Sequence, residues 1–206
     1  MSEVISRFSG SFAREVWPSL ESDVRDRLVL FGTDVIRFGR SQNLVSRVDP
    51  AGEVARLIEE SVRGGALLRF DGCRRWLDVG SGAGFPGVVL GILYPEWSHV
   101  LVERRSARCD FLERAGLRLQ LRNVTVFSED IRNVDLGVFD GVSSKAVADP
   151  REFLRWVGPH LGDEALALFF QRVGWVAPSG WSIRSSCVSL RERDKDDRMA
   201  FLLERR

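Results

Sequence analysis

Residues 75–90, Arg75-Trp76-Leu77-Asp78-Val79-Gly80-Ser81-Gly82-Ala83-Gly84-Phe85-Pro86-Gly87-Val88-Val89-Leu90, decide the fold. The first five read as a short apolar strand that ends in an acid. Three glycines then alternate at Gly80, Gly82 and Gly84. An apolar helix follows from Gly87 to Leu93. Glycines permit a sharp turn and let a ligand lie against bare backbone. A loop between strand and helix, at the carboxyl edge of a parallel sheet, is where such folds bind ligands. The spacing here is GxGxG. The dinucleotide fingerprint needs GxGxxG, and a phosphate-binding P-loop needs Gly-Lys-Ser/Thr, so both fail on this stretch.

Downstream, strands and helices alternate. Strands are expected at 98–102, 123–127, 138–143 and 165–170. Helices are expected at 106–119, with Ser106 as cap, and from Asp149-Pro150 to about Gly158. Residues 185–203 read as two strands around the charged turn Arg191 to Arg198. This order predicts an α/β Rossmann-like fold, a mostly parallel seven-stranded sheet closed by a C-terminal antiparallel hairpin. Upstream, Val16, Leu20, Val24, Leu28, Phe31, Val35 and Phe38 recur at helical spacing, predicting one long helix over 12–40 or two broken near Gly32. Gly39 is the expected stop. Asp49-Pro50 opens a second helix with Val54, Leu57, Ile58 and Val62 on its buried face and Gly64-Gly65 as its end. Residues 1–66 are therefore read as a helical extension and 67–206 as the main unit.

The bulk numbers narrow the class. At 206 residues with 44% apolar content, the chain can bury a core without disulfides or metals. A net charge of +1 advertises no global affinity for nucleic acid. The three cysteines, Cys73, Cys109 and Cys187, are scattered, and the two histidines are His99 and His160, so no metal site is expected. No signal peptide and no run of roughly 20 apolar residues is visible, so a cytoplasmic protein away from membranes is expected.

Glu103 ends the second strand. A carboxylate there accepts hydrogen bonds from both ribose hydroxyls of an adenosine. Glu129 and Asp130 follow the third strand, near where such folds hold an adenine; they read equally well as a plain helix cap. Asp78, Gly80, Ser81, Gly82, Gly84 and Phe85 complete the candidate cofactor site. An adenosine cofactor without pyrophosphate spacing points to S-adenosyl-L-methionine.

The run Leu77 to Gly87, with its Phe85-Pro86-Gly87 continuation, closely resembles the first motif of the glucose-inhibited division protein B family. Asn43-Leu44-Val45-Ser46 before Asp49-Pro50, and Phe139-Asp140-Gly141-Val142-Ser143-Ser144-Lys145-Ala146, are similar to two further segments of that family. The resemblance spans about residues 12–206. It implies a class I methyltransferase acting on guanine N7 of 16S ribosomal RNA. Gly80, Ser81 and Gly82 would line the methionine part of the cofactor, Glu103 would hold the ribose, and Glu129 and Asp130 would lie near the adenine. The expected partner is 16S RNA or the small ribosomal subunit, with the protein a monomer. Several positions depart from the family pattern. Its His-x-x-Asp-Ser becomes Leu57-Ile58-Glu59-Glu60-Ser61, its Ser-Arg-Ala arginine becomes Lys145, its Lys-Gly becomes Phe170-Gln171, and its Arg-His becomes Arg198-Met199. Two alternatives stand beside the main reading: a methyltransferase with a small-molecule or protein acceptor, and a relative that binds cofactor without transfer.

Guanine N7 attacks through a lone pair, so no catalytic base is needed, and positioning carries the chemistry. Lys145, at the end of the fourth strand, is the catalytic candidate: it would meet the acceptor through a phosphate or guanine O6. Arg104, Arg105, Arg108, Arg114, Arg118 and Arg122, with Arg37, Arg40 and Arg47, are the candidate RNA contacts; solvated helix faces carry such charges equally well.

Overall fold

A computed structural model describes residues 3–42, 44–45, 48–68, 75–188 and 198–205. Helix α1 spans Ser22–Gln42 and α2 spans Pro50–Gly65. Strand β1 (Arg75–Val79) leads through the glycine loop to α3 (Gly87–Leu93). Then come β2 (Ser98–Val102), α4 (Ser106–Arg118), β3 (Val124–Phe127) and β4 (Phe139–Ser144). Helix α5 (Pro150–Val157) precedes β5 (Leu161–Arg172), β6 (Trp181–Val188) and β7 (Arg198–Arg205). The seven strands form one sheet in the order β3-β2-β1-β4-β5-β7-β6. The first five are parallel to their neighbours and β7 is antiparallel to β5 and β6. The expected fold class holds.

The order reverses at β1, which pairs with β2 on one side and β4 on the other. That switch point opens a crevice at the carboxyl ends of the strands. Four consecutive buried residues in β1 and again in β2 reflect a sheet covered on both faces. Phe31 and Val35 of α1, Ile58 of α2, Val88 of α3 and Leu112 of α4 share one core; Phe153 of α5 packs with Leu161, Phe169 and Phe201 in another.

Local differences from the sequence expectations have physical causes. The N-terminal helix breaks at Leu20, not Gly32: Pro18 starts a 3₁₀ turn, Trp17–Ser19, and Leu20 is extended with ψ 145°. Gly32 stays inside α1 because α2 crosses there; a Cβ on it would lie 3.1 Å from Ile58 and 3.2 Å from Val54. The helix also runs past Gly39 to Gln42. Asp49 caps α2 as expected, its Oδ1 accepting from the Gly52 amide at 3.0 Å. Ser106 is the first helical residue and not a cap; the residue before it, Arg105, makes no side-chain cap bond. Strand β5 is twice as long as expected, since Leu161 already pairs with Phe139. The hairpin turn from Arg191 lies outside the described residues up to Arg198, which opens β7.

One buried acid and one buried base set opposing pH responses. His99 is fully buried; its Nε2 lies 3.2 Å from the Tyr94 carbonyl, and Nδ1 has no partner among the described residues. Burial pushes its pKa down to about 4, against a smaller upward pull from the Tyr94 carbonyl. A folded value below the unfolded 6.5 contributes nothing at neutral pH and destabilises as pH falls from 6.5 toward 4. Asp78 runs the other way. Burial first, with a smaller push from Glu103, raises it to about 6 despite the hydrogen bond from Ser143. Its cost to folding, present at neutral pH, is relieved as pH falls below 6. The two responses offset one another in the wild type. His99→Phe leaves only the Asp78 response, so between pH 7 and 5 the variant should gain about 2 kcal/mol relative to wild type in urea titrations, at ~1.4 kcal/mol per pKa unit. Parallel pH profiles for the two proteins would refute this.

Candidate functional site

The site grows from β1. Asp78 faces Ser143 of β4 in register, and the Ser143 hydroxyl donates to Asp78 Oδ1 at 2.6 Å. Trp76 donates its indole N–H to the same hydroxyl at 3.0 Å. This buried chain ties β1 to β4 directly beneath the glycine loop. Asp78 is 1% exposed and does not line the cavity above; its backbone carbonyl accepts from the Ser81 hydroxyl at 3.0 Å and so supports the loop from below.

Above it the loop folds on itself. Gly80, Gly82 and Gly84 all take positive φ, at 72°, 55° and 91°, a region L-residues enter at a cost. Their amides turn inward. Gly80 N–H donates to the Val102 carbonyl at 2.7 Å, Ser81 N–H to the same carbonyl at 3.3 Å, and Gly84 N–H to Ser81 at 2.7 Å. Gly82 N–H donates to Glu103 Oε2 at 3.0 Å. Four donors that would cradle a pyrophosphate are thus spent, three on Val102 and Glu103 and one within the loop. The sequence expectation of bare amides facing a ligand is corrected here.

Glu103 is 6% exposed and does three things. Oε2 takes the Gly82 amide; Oε1 takes the Arg105 amide at 3.0 Å; Arg108 stands 3.8 Å from Oε2. A carboxylate at the start of α4 also suits the positive end of the helix dipole. Its remaining lone pairs border a cavity of about 450 Å³, within the roughly 300–1,000 Å³ of small-molecule sites.

Gly80, Ser81, Gly82, Phe85, Glu103, Glu129, Asp130 and Lys145 all line this cavity. Asp78 and Gly84 do not. Gly84 sits where α1 meets the loop, and the Phe31 ring of α1 packs at a tilt against Phe85, with centroids 5.0 Å apart. Asp130 caps the 3₁₀ turn Ile131–Asn133 through the Arg132 amide. Its carboxylate is also gripped by the Arg132 guanidinium at 2.9 and 2.6 Å. Those bonds hold it well below the ordinary carboxylate range, outweighing burial, which acts in the opposite sense. Asp130 therefore carries out the capping role that the sequence offered as its second reading, and it lines the cavity together with Glu129.

Sequence reasoning missed several lining residues. Arg132 lies over the Trp156 ring at 5.0 Å, and both border the cavity beyond Asp130. Trp156 reaches it from α5, with no sequence signal other than helical period. Ala146, in the left-handed region at φ 58°, turns the chain after β4 so that Val147 covers the place where a Gly80 Cβ would sit. Glu53, Arg56 and Leu57 of α2 close the far side.

Lys145 lines the cavity, yet its side chain is only 9% exposed and its ammonium is ion-paired with Glu60. Leu57, one of the departing positions, also lines the cavity; Phe170 is buried beneath Lys145, and Met199 faces Gln171 across the β5–β7 ladder. Of the arginines, Arg104, Arg105 and Arg108 reach the cavity. Arg118 is tied to Asp34 at 2.9 Å, Arg114 bonds the Asp110 carbonyl at 2.9 Å, and Arg37 lies over Phe38. Arg47 and the side chain of Arg40 lie outside the described residues. Among the described residues no cluster of three metal-ligating side chains occurs, and no helix is long and apolar enough to cross a membrane.

The model of the GidB family, described as rRNA small subunit methyltransferase G, matches residues 25–172. A ribosomal RNA small subunit methyltransferase G from Pseudomonas aeruginosa is 30% identical over 185 residues, covering 87% of this chain and 81% of that protein. One of the same name from Pseudomonas entomophila is 29% identical over 179 residues, 86% of this chain and 79% of the relative. In three dimensions, a SAM-dependent methyltransferase from Thiobacillus denitrificans, solved with S-adenosyl-L-homocysteine, superposes with a TM-score of 0.58 at 12% identity. It covers 72% of this chain and 91% of the other.

Proposed function

Because the chain belongs to the GidB family of rRNA small subunit methyltransferase G proteins, we propose that it moves the methyl group of S-adenosyl-L-methionine to N7 of a guanine in 16S ribosomal RNA. The observation that carries this reading is the loop with its amides turned inward beside Glu103. With the Gly80, Ser81, Gly82 and Gly84 amides donating to Val102, Glu103 and Ser81, none of the four is left for a pyrophosphate, which suits an adenosine cofactor that has none. A nicotinamide cofactor is therefore disfavoured by the spent amides as well as by glycine spacing.

In this reading Glu103 receives the ribose hydroxyls, Glu129 and the Arg132–Trp156 pair border the adenine, and Gly80 to Gly82 flank the methionine portion. Asp78 and Gly84 hold the loop in shape. The bound cofactor supplies an electrophilic methyl group on a positively charged sulfur. Glu103 and the Gly80–Gly82 segment would hold that methyl in line with the guanine N7, which would accept it through its lone pair. No proton leaves N7, so no base is required. The chain's work is alignment and a preorganised polar pocket. The α2 side of the cavity, with Glu53, Arg56, Leu57 and Lys145, receives the base. Arg104, Arg105 and Arg108 at the rim meet RNA phosphate. Residues 1–66 act as a helical extension on the 67–206 methyl-transfer unit, working as a cytoplasmic monomer.

The test is transfer of a tritiated methyl group to small ribosomal subunits, to naked 16S RNA, and to total cell protein and metabolites. Label in 16S RNA that maps by mass spectrometry to N7-methylguanosine is the expected outcome. Label confined to protein or small molecules would replace the acceptor. Calorimetric binding of S-adenosylmethionine with no label anywhere would leave a cofactor-binding relative without transfer.

A further inference from the structure

Three positions that depart from the family pattern, Glu60, Lys145 and Phe170, lie in three different elements and meet at one point. Glu60, on α2, is 3% exposed and has a charged neighbour on each carboxylate oxygen. Arg56, one turn earlier on α2, donates to Oε1, and Lys145, at the end of β4, donates to Oε2. The Lys145 ammonium also lies 5.2 Å above the Phe170 ring. That ring fits because α2 carries Gly64 opposite it, where a Cβ would lie 2.9 Å from the ring edge.

We propose that these residues form one unit in which Glu60 is a positioning residue for methyl transfer: it holds Arg56 and Lys145 in the acceptor half of the cavity and neutralises part of their charge. This rests on the function proposed above. Three arguments support it. A buried carboxylate is costly unless paired, and Glu60 spends both oxygens on cations that line the cavity. Burial pushes its acidity one way, but Lys145 and then Arg56 outweigh burial and keep it ionised. The reaction also places a positive charge on the acceptor ring, and two uncompensated cations beside it would oppose that step. Phe170 supplies an electron-rich face that attracts the ammonium above it. The resemblance implies a shorter acid and a longer base at these two positions. Here a longer acid faces a shorter base. The departures at Glu60 and Lys145 are then reciprocal, not two separate losses.

The experiment is a double-mutant cycle with Glu60→Asp, Lys145→Arg and the double variant, plus the near-isosteric Glu60→Gln. Calorimetry with S-adenosylmethionine, thermal melting, and kcat and KM for 16S RNA methylation are measured for each. Each single change should lower kcat/KM about tenfold, and the double variant should recover to within about threefold of wild type, since contacting pairs couple at this scale. Glu60→Gln should lower kcat with KM for RNA unchanged or smaller, because the cations remain but are unopposed. Cofactor affinity should stay within about threefold throughout. A double variant about a hundredfold below wild type, the product of the singles, would overturn the proposal, as would a Glu60→Gln enzyme with wild-type kcat. If wild type labels no RNA, the function proposed above fails instead. The melting arm then decides: recovery of melting temperature in the double variant keeps the unit, and additive loss removes it.

Discussion

Glu103→Ala is expected to weaken S-adenosylmethionine binding by roughly a hundredfold to a thousandfold. A carboxylate that accepts two ribose hydroxyls contributes about 1.5–3 kcal/mol per charged hydrogen bond, and every ~1.4 kcal/mol is a factor of ten in affinity. The substitution also removes the acceptor of the Gly82 and Arg105 amides, which lie 3.0 Å away. The loop therefore loosens as the ribose contact goes, and both effects act in the same direction. Glu103→Gln separates them. Its amide oxygen still takes one backbone amide, so the loop is held while the charge is lost, and an intermediate loss is expected. Calorimetry with S-adenosylmethionine reads both variants. Glu103→Ala binding within about threefold of wild type would show that Glu103 only fastens the loop, and would remove it from the cofactor site.

Gly84→Ala should lower the melting temperature by about 10 °C. Gly84 has φ 91°, and a Cβ there would lie 2.7 Å from Val88 and 2.8 Å from Phe31. Backbone strain at such an angle costs about 1–3 kcal/mol, and overpacking a tight core costs about 1–3 kcal/mol. Their sum is a large share of a typical stability of about 5–15 kcal/mol, and for a chain of this size ~1 kcal/mol is worth about 2–4 °C. Neither Phe31 nor Val88 can retreat easily, since both are fully buried. Gly82→Ala is the control. It bears the same kind of backbone strain, but its Cβ would come no closer than 3.6 Å to any group, so a drop of only a few degrees is expected. Equal melting shifts for the two alanines would mean that packing against α1 contributes nothing at this loop.

The two predictions rest on features of different legibility. That Glu103 ends a strand and stands roughly twenty residues beyond the glycine loop is written in local sequence. The same holds for β1, for α3 and for the Asp49 and Asp149 caps, which accept from Gly52 and Arg151 as their positions suggest. Glycine, proline and short polar side chains act on the backbone within three or four residues, so they can be read without a fold. The break at Leu20 was less legible, because the apolar stripe continues through it and hid the effect of Pro18. Gly32 was misread for the opposite reason: it serves the approach of α2, not the local backbone.

Amino-acid order alone determined the sheet class, the place of the glycine loop and the two acids that follow the second and third strands, since period and turn chemistry are short-range. Tertiary structure decided everything that depends on residues far apart in the chain. It turned the loop's amides toward Val102 and Glu103, brought Trp156 from α5 to the cavity, and set Lys145 on Glu60 across 85 residues. A buried charge has to find its partner wherever the fold supplies one, and no local pattern records which partner that is. Read one by one along the chain, Glu60, Lys145 and Phe170 look like lost functional groups; folded together, they are an acid, a base and the ring beneath it.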